Sequence, residues 1–377
     1  MKFVSTSTHR EEGHHVETAS DIKVAARDLK FFQAINEALD LCMRSDPAVY
    51  LMGLGVPDPK GIFGTTLGLK EKYGPSRVLD MPTSENGMTG IAIGSALVGM
   101  RPIMVHQRIE FALLAIEQIV NQAAKWHYMF AGKACVPLVI RLVIGRGWGQ
   151  GPQHSQSLQS WFAHVPGLKV IMPATPYDAK GLLISAIEDN NPVIFLEHRW
   201  LHNTYGPVPE QIYRVPLGKA RLARAGTDLT FVAISYMVLE ALRAAEILAR
   251  AGIQAEVIDV RSLRPLDADL ILNSVRKTGR LIAVDTGWKA AGMSAEIVAL
   301  AAEEALQSLK SNPRRVGLFD SSVPTTPGLA KYCYPRATDL VRLACEVLKI
   351  PDTDLGRSEE DTSVPLDVPE ISFAGPF

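Results

Sequence analysis

The feature that most restricts how this chain can fold is a repeated change of hydrophobic period. Short runs such as AVYLMGLG (48–55), RPIMVH (101–106), VPLVIRLVIG (136–145) and PVIFLEH (192–198) are apolar at successive positions and rich in β-branched residues. Between them lie stretches with helical spacing, as in LKFFQAINEALDLCMRS (29–45), where Phe32, Ile35, Ala38, Leu39 and Cys42 form one stripe. A strand apolar on consecutive residues is buried on both faces, and alternation with helices supplies the cover. The pattern predicts an α/β protein with doubly wound parallel sheets.

The alternation occurs twice. It runs from about residue 27 to 205, lapses in the proline- and glycine-containing stretch WLHNTYGPVPEQIYRVPLGKARLARAG, and resumes with DLTFVAIS, QAEVIDV, RLIAVD and RRVGLFD. A length of 377 residues also exceeds one ordinary core. The expected organisation is an N-terminal arm (1–26), a first domain (27–205), a linker (206–226), a smaller second domain (227–350) and an acidic tail (351–377). The tail is aperiodic, and is either without fixed structure or laid along a partner.

Charge and composition exclude several functions. A formal net charge of -1 gives no electrostatic reason for binding nucleic acid or an anionic membrane. The four cysteines (Cys42, Cys135, Cys333, Cys345) show neither a disulfide framework nor zinc spacing, which fits a reducing cytoplasm. The first twenty residues are too polar for a signal peptide, and TGIAIGSALVGM is shorter than the roughly 18 residues of a membrane span.

No GxSxG, HExxH or Walker motif occurs, which argues against a hydrolase or NTPase. GRGWGQG (145–151) follows a predicted strand but lacks the GxGxxG spacing and runs into Pro152, so a nicotinamide site is not expected. A glycine-rich loop at a parallel strand end is still where ligands collect. This one leads to Gln153, His154, Ser155 and Gln156, with His154 either a surface histidine or a ligand-facing one. In MPTSENGMTG (81–90), Glu85 is either a helix N-terminal acid favoured by the dipole, or a carboxyl held in an apolar pocket with a raised pKa. It follows a predicted strand end, which leans toward chemistry.

SENGMTGIAIGSALVGMRPI, EFALLAIEQIVNQAAKWHYM, PQHSQS, PGLKVIMPATPYDAKGLLISAIEDNNPVIFLEH and IDVRSLRPLDADLILNSVRKTGRLIAVDTGW together resemble one family, in order and spacing, over about residues 28 to 348. They are similar to the beta subunit of thiamine-diphosphate-dependent 2-oxo acid dehydrogenases of the pyruvate, branched-chain and acetoin types. The resemblance implies a transketolase-type pyrimidine-binding domain followed by a transketolase C-terminal-like domain. It implies that Glu85 hydrogen-bonds ring nitrogen N1′ of the aminopyrimidine and promotes the imino form, which deprotonates C2 of the thiazolium; a buried carboxyl with a raised pKa suits that task. Phe111 would stack on the pyrimidine, Gln107 would take another pyrimidine-side position, and Thr83, where isoleucine is usual, would lie beside the cofactor. His154 would face the reacting carbon. A structural potassium ion would be held chiefly by main-chain oxygens of Ala186, Asp189 and Asn191.

The diphosphate and its magnesium ion need a GDG motif, and this chain has none. The resemblance therefore implies an alpha subunit that completes the site, in a two-alpha, two-beta assembly handing an acyl group to a lipoyl acyltransferase. The sequence departs from the family where VHQRIEF (105–111) replaces the usual EFMTFNF and GLGV (53–56) replaces GEEV, which puts His106, Gln107, Arg108 and Glu110 near the cofactor. That polarity motivates an alternative: a transketolase-like carboligase delivering an acyl or two-carbon unit to a carbonyl acceptor such as a keto sugar. A third reading, a scaffold subunit without chemistry, is opposed by the presence of Glu85, Phe111 and His154.

Overall fold

A computed structural model describes residues 26–147, 149–351 and 367–369. The expected N-terminal arm falls almost wholly outside the described residues, as does the acidic tail apart from 367–369. The first sheet contains β2 (Val49–Met52), β3 (Val78–Leu79), β4 (Arg101–His106), β5 (Val139–Ile144), β6 (Lys169–Ile171), β7 (Val193–His198) and β12 (Ser262–Arg264), in the order β12-β6-β7-β5-β4-β2-β3. All its pairings are parallel except that of the edge strand β12 with β6. The second sheet has the order β14-β13-β10-β11-β9, from β9 (Arg221–Arg224), β10 (Leu229–Ala233), β11 (Ala255–Asp259), β13 (Leu281–Trp288) and β14 (Arg314–Leu318); only β9 is antiparallel.

The consecutive apolar residues of each strand divide between two faces, as the period of two requires. Leu51, Ile103, Val105 and Val139 face one core layer, where the helices Phe31–Ser45 and Pro176–Glu188 pack together. Tyr50, Met52, Met104, Ile140 and Leu142 face the other, under the helix Glu85–Leu97. Both layers continue into the second sheet through Phe231 and Val257 on one side and Val232 and Ile258 on the other.

Three details differ from the pattern read along the sequence. The stretch expected to be plain linker contributes strands: β8 (Tyr205–Pro209) pairs with β1 (Ala26–Lys30), and β9 joins the second sheet. β12 leaves the second half of the chain to complete the first sheet. The run EFALLAIEQIVNQAAKWHYM after β4, apolar at helical spacing throughout, is a chain of short pieces, with α-helical Ile109–Ala112, 3-10 Leu113–Ala115, a π-helical segment Gln118–Ala123 and α-helical Trp126–Met129. Ala112, Ala115, Ile119 and Ala123 stay buried throughout, so the apolar face survives while the hydrogen-bond ladder changes pitch.

Candidate active site

The first sheet has a topological switch point. From β2 the chain moves out to β3 on one side, then returns to β4 on the other. Loops leaving neighbouring strands in opposite directions open a crevice at the C-terminal ends, the usual ligand position in open parallel sheets. Leu54 follows β2, Glu85 follows β3, Gln107 and Phe111 follow β4, and the glycine-rich loop with His154 follows β5. The Gln107 side-chain amide spans the switch point, donating to the Leu54 carbonyl at 3.1 Å.

Glu85 is the first residue of the helix Glu85–Leu97 and only 5 % exposed. It opens a helix, as one reading of the sequence expects, and the residue is buried. Its carboxylate makes no hydrogen bond or ion pair among the described residues. Thr89, one turn on, holds the helix against β4 by donating to the Glu85 carbonyl at 2.7 Å and contacting the Met104 sulfur at 3.1 Å. Thr83 is exposed just before it.

Phe111 and His154 come together, with ring centroids 5.5 Å apart and planes inclined by 56°. Two adjoining strand ends produce this pair. Phe111 lies in the short helix after β4, and His154 in a turn beyond the glycine-rich loop, where its amide donates to the Gly151 carbonyl at 3.1 Å. Glu110 ties the two segments, accepting from the Gln156 amide at 2.6 Å; burial pushes its carboxyl above the ordinary range. The inserted polarity of VHQRIEF turns inward instead of lining an open channel. His106 is buried and lowered by that burial to about 4, so it is neutral. Arg108 is 3 % exposed, donates to the Gly145 carbonyl at 2.5 Å and lies 5.7 Å from the Phe63 ring centre. Burial lowers Arg108, and likewise Arg199 on the same ring, to about 10.

Beneath the loop lies a buried polar layer that sequence reasoning did not single out. Arg141 of β5 pairs with Glu197 of β7 at 2.7 Å, and His202 approaches the same carboxylate at 3.4 Å. Burial raises the Glu197 pKa, but Arg141 and His202 outweigh it and hold the group below its ordinary value. Arg146, inside GRGWGQG, is 1 % exposed and pairs with Asp367 at 2.8 Å. A charged residue among glycines was the available signal; its partner is 221 positions away.

The residues expected to hold potassium lie elsewhere, at the end of the helix Pro176–Glu188. Asp189 pairs with Lys169 and accepts from the Asn191 amide at 2.8 Å, and Arg101 donates to the carbonyls of Ile187 at 3.0 Å and Asp189 at 3.1 Å. Ala186 accepts from the Asp189 amide at 3.3 Å. A helix C-terminus offers the main-chain oxygens an alkali ion takes; here Arg101 engages those of Ile187 and Asp189, and Lys169 pairs with the Asp189 carboxylate. No group of three or more His, Cys, Asp or Glu residues able to hold a metal occurs among the described residues. None of their helices is long and apolar enough to cross a membrane.

A buried carboxylate without a partner, an aromatic ring and a histidine at one switch-point crevice fit the pyrimidine half of thiamine diphosphate; a diphosphate cradle is not among these residues.

Residues 27–203 match the family described as transketolase, pyrimidine binding domain, and residues 218–340 match transketolase, C-terminal domain. The chain is 44% identical over 334 residues to the acetoin:2,6-dichlorophenolindophenol oxidoreductase subunit beta of Cupriavidus necator, covering 86% of this chain and 98% of that protein. It is 42% identical over 332 residues to the pyruvate dehydrogenase E1 component subunit beta-2, mitochondrial, of Oryza sativa subsp. japonica, covering 87% and 88%. Among solved structures, a split gene transketolase described as an inactive beta4 tetramer aligns with a TM-score of 0.71 at 23% identity, covering 85% of this chain and 99% of that one, and so shares the fold. The chain belongs to the beta-subunit family of thiamine-diphosphate-dependent 2-oxo acid dehydrogenases, built from transketolase pyrimidine-binding and C-terminal domains.

Proposed function

We propose that this chain is the pyrimidine-binding half of a heteromeric 2-oxo acid dehydrogenase that decarboxylates its substrate and passes the acyl group to a lipoyl carrier. The observation that carries the reading is Glu85: a buried carboxylate, uncommitted to any other residue, opening a helix at the switch-point crevice. When bound, thiamine diphosphate supplies the carbon nucleophile that attacks the 2-oxo carbon and allows carbon dioxide to leave. Glu85 would hydrogen-bond the pyrimidine ring nitrogen with its carboxyl. Phe111 would stack on the pyrimidine, with Gln107 and Thr83 at its margin, and His154 would face the reacting carbon and stabilise charge there.

The diphosphate, its magnesium ion and the rest of the acceptor channel would come from an alpha chain, in a two-alpha, two-beta assembly. Exposed Leu114, Tyr128, Met129 and Phe130 on the broken helical run and Trp161 nearby support a partner, since a protein surface rarely leaves such side chains bare in groups. A potassium ion would sit on the carbonyl oxygens near Ala186. The four free cysteines agree with a reducing compartment such as the cytoplasm.

The test is 2-oxo-acid-dependent reduction of an artificial electron acceptor by this chain co-expressed with its alpha partner, with thiamine diphosphate and magnesium. Glu85→Gln is expected to lower kcat by about 10²–10⁴-fold in an intact complex, the range for a general acid–base group. An undiminished rate in that variant would refute the assignment of Glu85.

A further inference from the structure

The loop that carries His154 is held from outside the first sheet. The Trp200 indole donates to the Arg146 carbonyl at 2.7 Å, and the Arg146 guanidinium reaches into the second half of the chain, donating to the Thr325 carbonyl at 2.8 Å. Its other terminal nitrogen donates to Asp367, at 3.0 Å to the carbonyl and 2.8 Å to the carboxylate. Asp367 is 5 % exposed. The next residue, Val368, is also buried, and its carbonyl accepts from Arg336 at 2.6 Å. Arg336 is itself fixed, donating to the Tyr236 hydroxyl at 3.0 Å with its guanidinium 4.9 Å from the Trp200 ring centre.

These contacts form one line of force: Tyr236, Arg336, the 367–368 backbone, Asp367, Arg146, glycine-rich loop. Among the described residues Asp367 is the one carboxylate in ion-pair contact with Arg146. A guanidinium this deeply buried is stable only if paired and hydrogen-bonded, and removing one member of such a pair leaves a charge that must find water. Without the Asp367 carboxylate, Arg146 keeps only the carbonyls of Thr325 and residue 367, which loosens the loop's anchor. Arg108 and Glu110 hold the two ends of this glycine-rich loop, at Gly145 and Gln156, and Arg146 adds an anchor to the second half of the chain.

We infer that residues 367–368 strap the His154 loop, and that Asp367 is a positioning residue that holds it in place through Arg146. The kinetic arm of this inference rests on the functional reading above; the structural arm does not. Asp367 touches neither cofactor nor substrate, and its effect passes through Arg146 and the backbone of residues 145–154.

The test uses the full chain assembled with its alpha partner, comparing wild type with Asp367→Asn, Asp367→Glu, Arg146→Met and the double variant Arg146→Met/Asp367→Asn. Hydrogen–deuterium exchange over residues 145–156 reads the loop without requiring turnover. Asp367→Asn is expected to raise exchange in that segment about tenfold, with the first sheet's strands unchanged. It should also lower kcat several-fold while leaving KM for the 2-oxo acid within about twofold. Asp367→Glu should recover most of both effects, and the double variant should be no worse than Arg146→Met alone, because the two residues act as one pair. Wild-type exchange in 145–156 with Asp367→Asn overturns the inference, and so does a rise spread evenly over the whole chain, which would make the segment a general brace. If the wild-type complex turns over no 2-oxo acid, the functional reading fails while the exchange result still decides the strap.

Discussion

Glu85, Phe111 and His154 differ in how far the sequence reveals them. Glu85 was visible as a lone acid at the mouth of a helix, but its burial depends on what the sheet and its loops bring over it. Phe111 and His154 lie in separate motifs, and only the adjacency of β4 and β5 makes them neighbours. Phe111→Leu keeps apolar bulk and removes the ring. It is expected to raise the Kd for thiamine diphosphate, measured by calorimetry on the alpha–beta complex, about three- to tenfold, since an aromatic pair contributes about 0.5–1.5 kcal/mol beyond its buried area. kcat at saturating cofactor should be nearly kept. Arg146 stands out locally only as a charge among glycines, because its ion-pair partner lies at position 367.

At the scale of elements, the apolar runs located the strands well, because a parallel strand buried on both faces has no polar positions to blur it. β8, β9 and β12 were less legible: each is short, lies at an edge, and is defined by its neighbour more than by its own composition. The π-helical segment was not legible at all, since its buried positions keep the spacing of an ordinary helix. The loop after β5 begins with Gly145 at φ 79, where a Cβ would lie 2.6 Å from the His198 ring nitrogen. Gly145→Ala therefore combines a left-handed backbone with a clash. It is expected to cost about 1–3 kcal/mol, seen as a lower Tm, and to lower kcat by shifting the segment that carries His154.

For the molecule as a whole, stability should respond to mild acid. His106, His198 and His202 are all buried, and burial is the first cause lowering their pKa values, to about 4, 3 and 4. The unfolded chain binds protons at these positions near the ordinary value of 6.5, whereas the folded chain does not. Their contribution is thus fully present above pH 6.5 and is lost as pH falls toward 4. Asp285 acts in the opposite sense. Burial raises it to about 6, so it favours the folded state as pH drops from 6 toward 4. Three histidines outweigh one carboxyl, so Tm measured by calorimetry should begin to fall between pH 7.5 and 6 and fall more steeply from 6 toward 4.

β12 has a consequence for synthesis. A ribosome finishes every site-bearing strand of the first sheet, and by residue 171 the strand β6 that β12 will cover, well before it reaches Ser262–Arg264. Until then the nascent first half carries an uncovered strand edge able to pair with another chain. Its closing strand arrives only with the second half, so the two halves are a single unit of production.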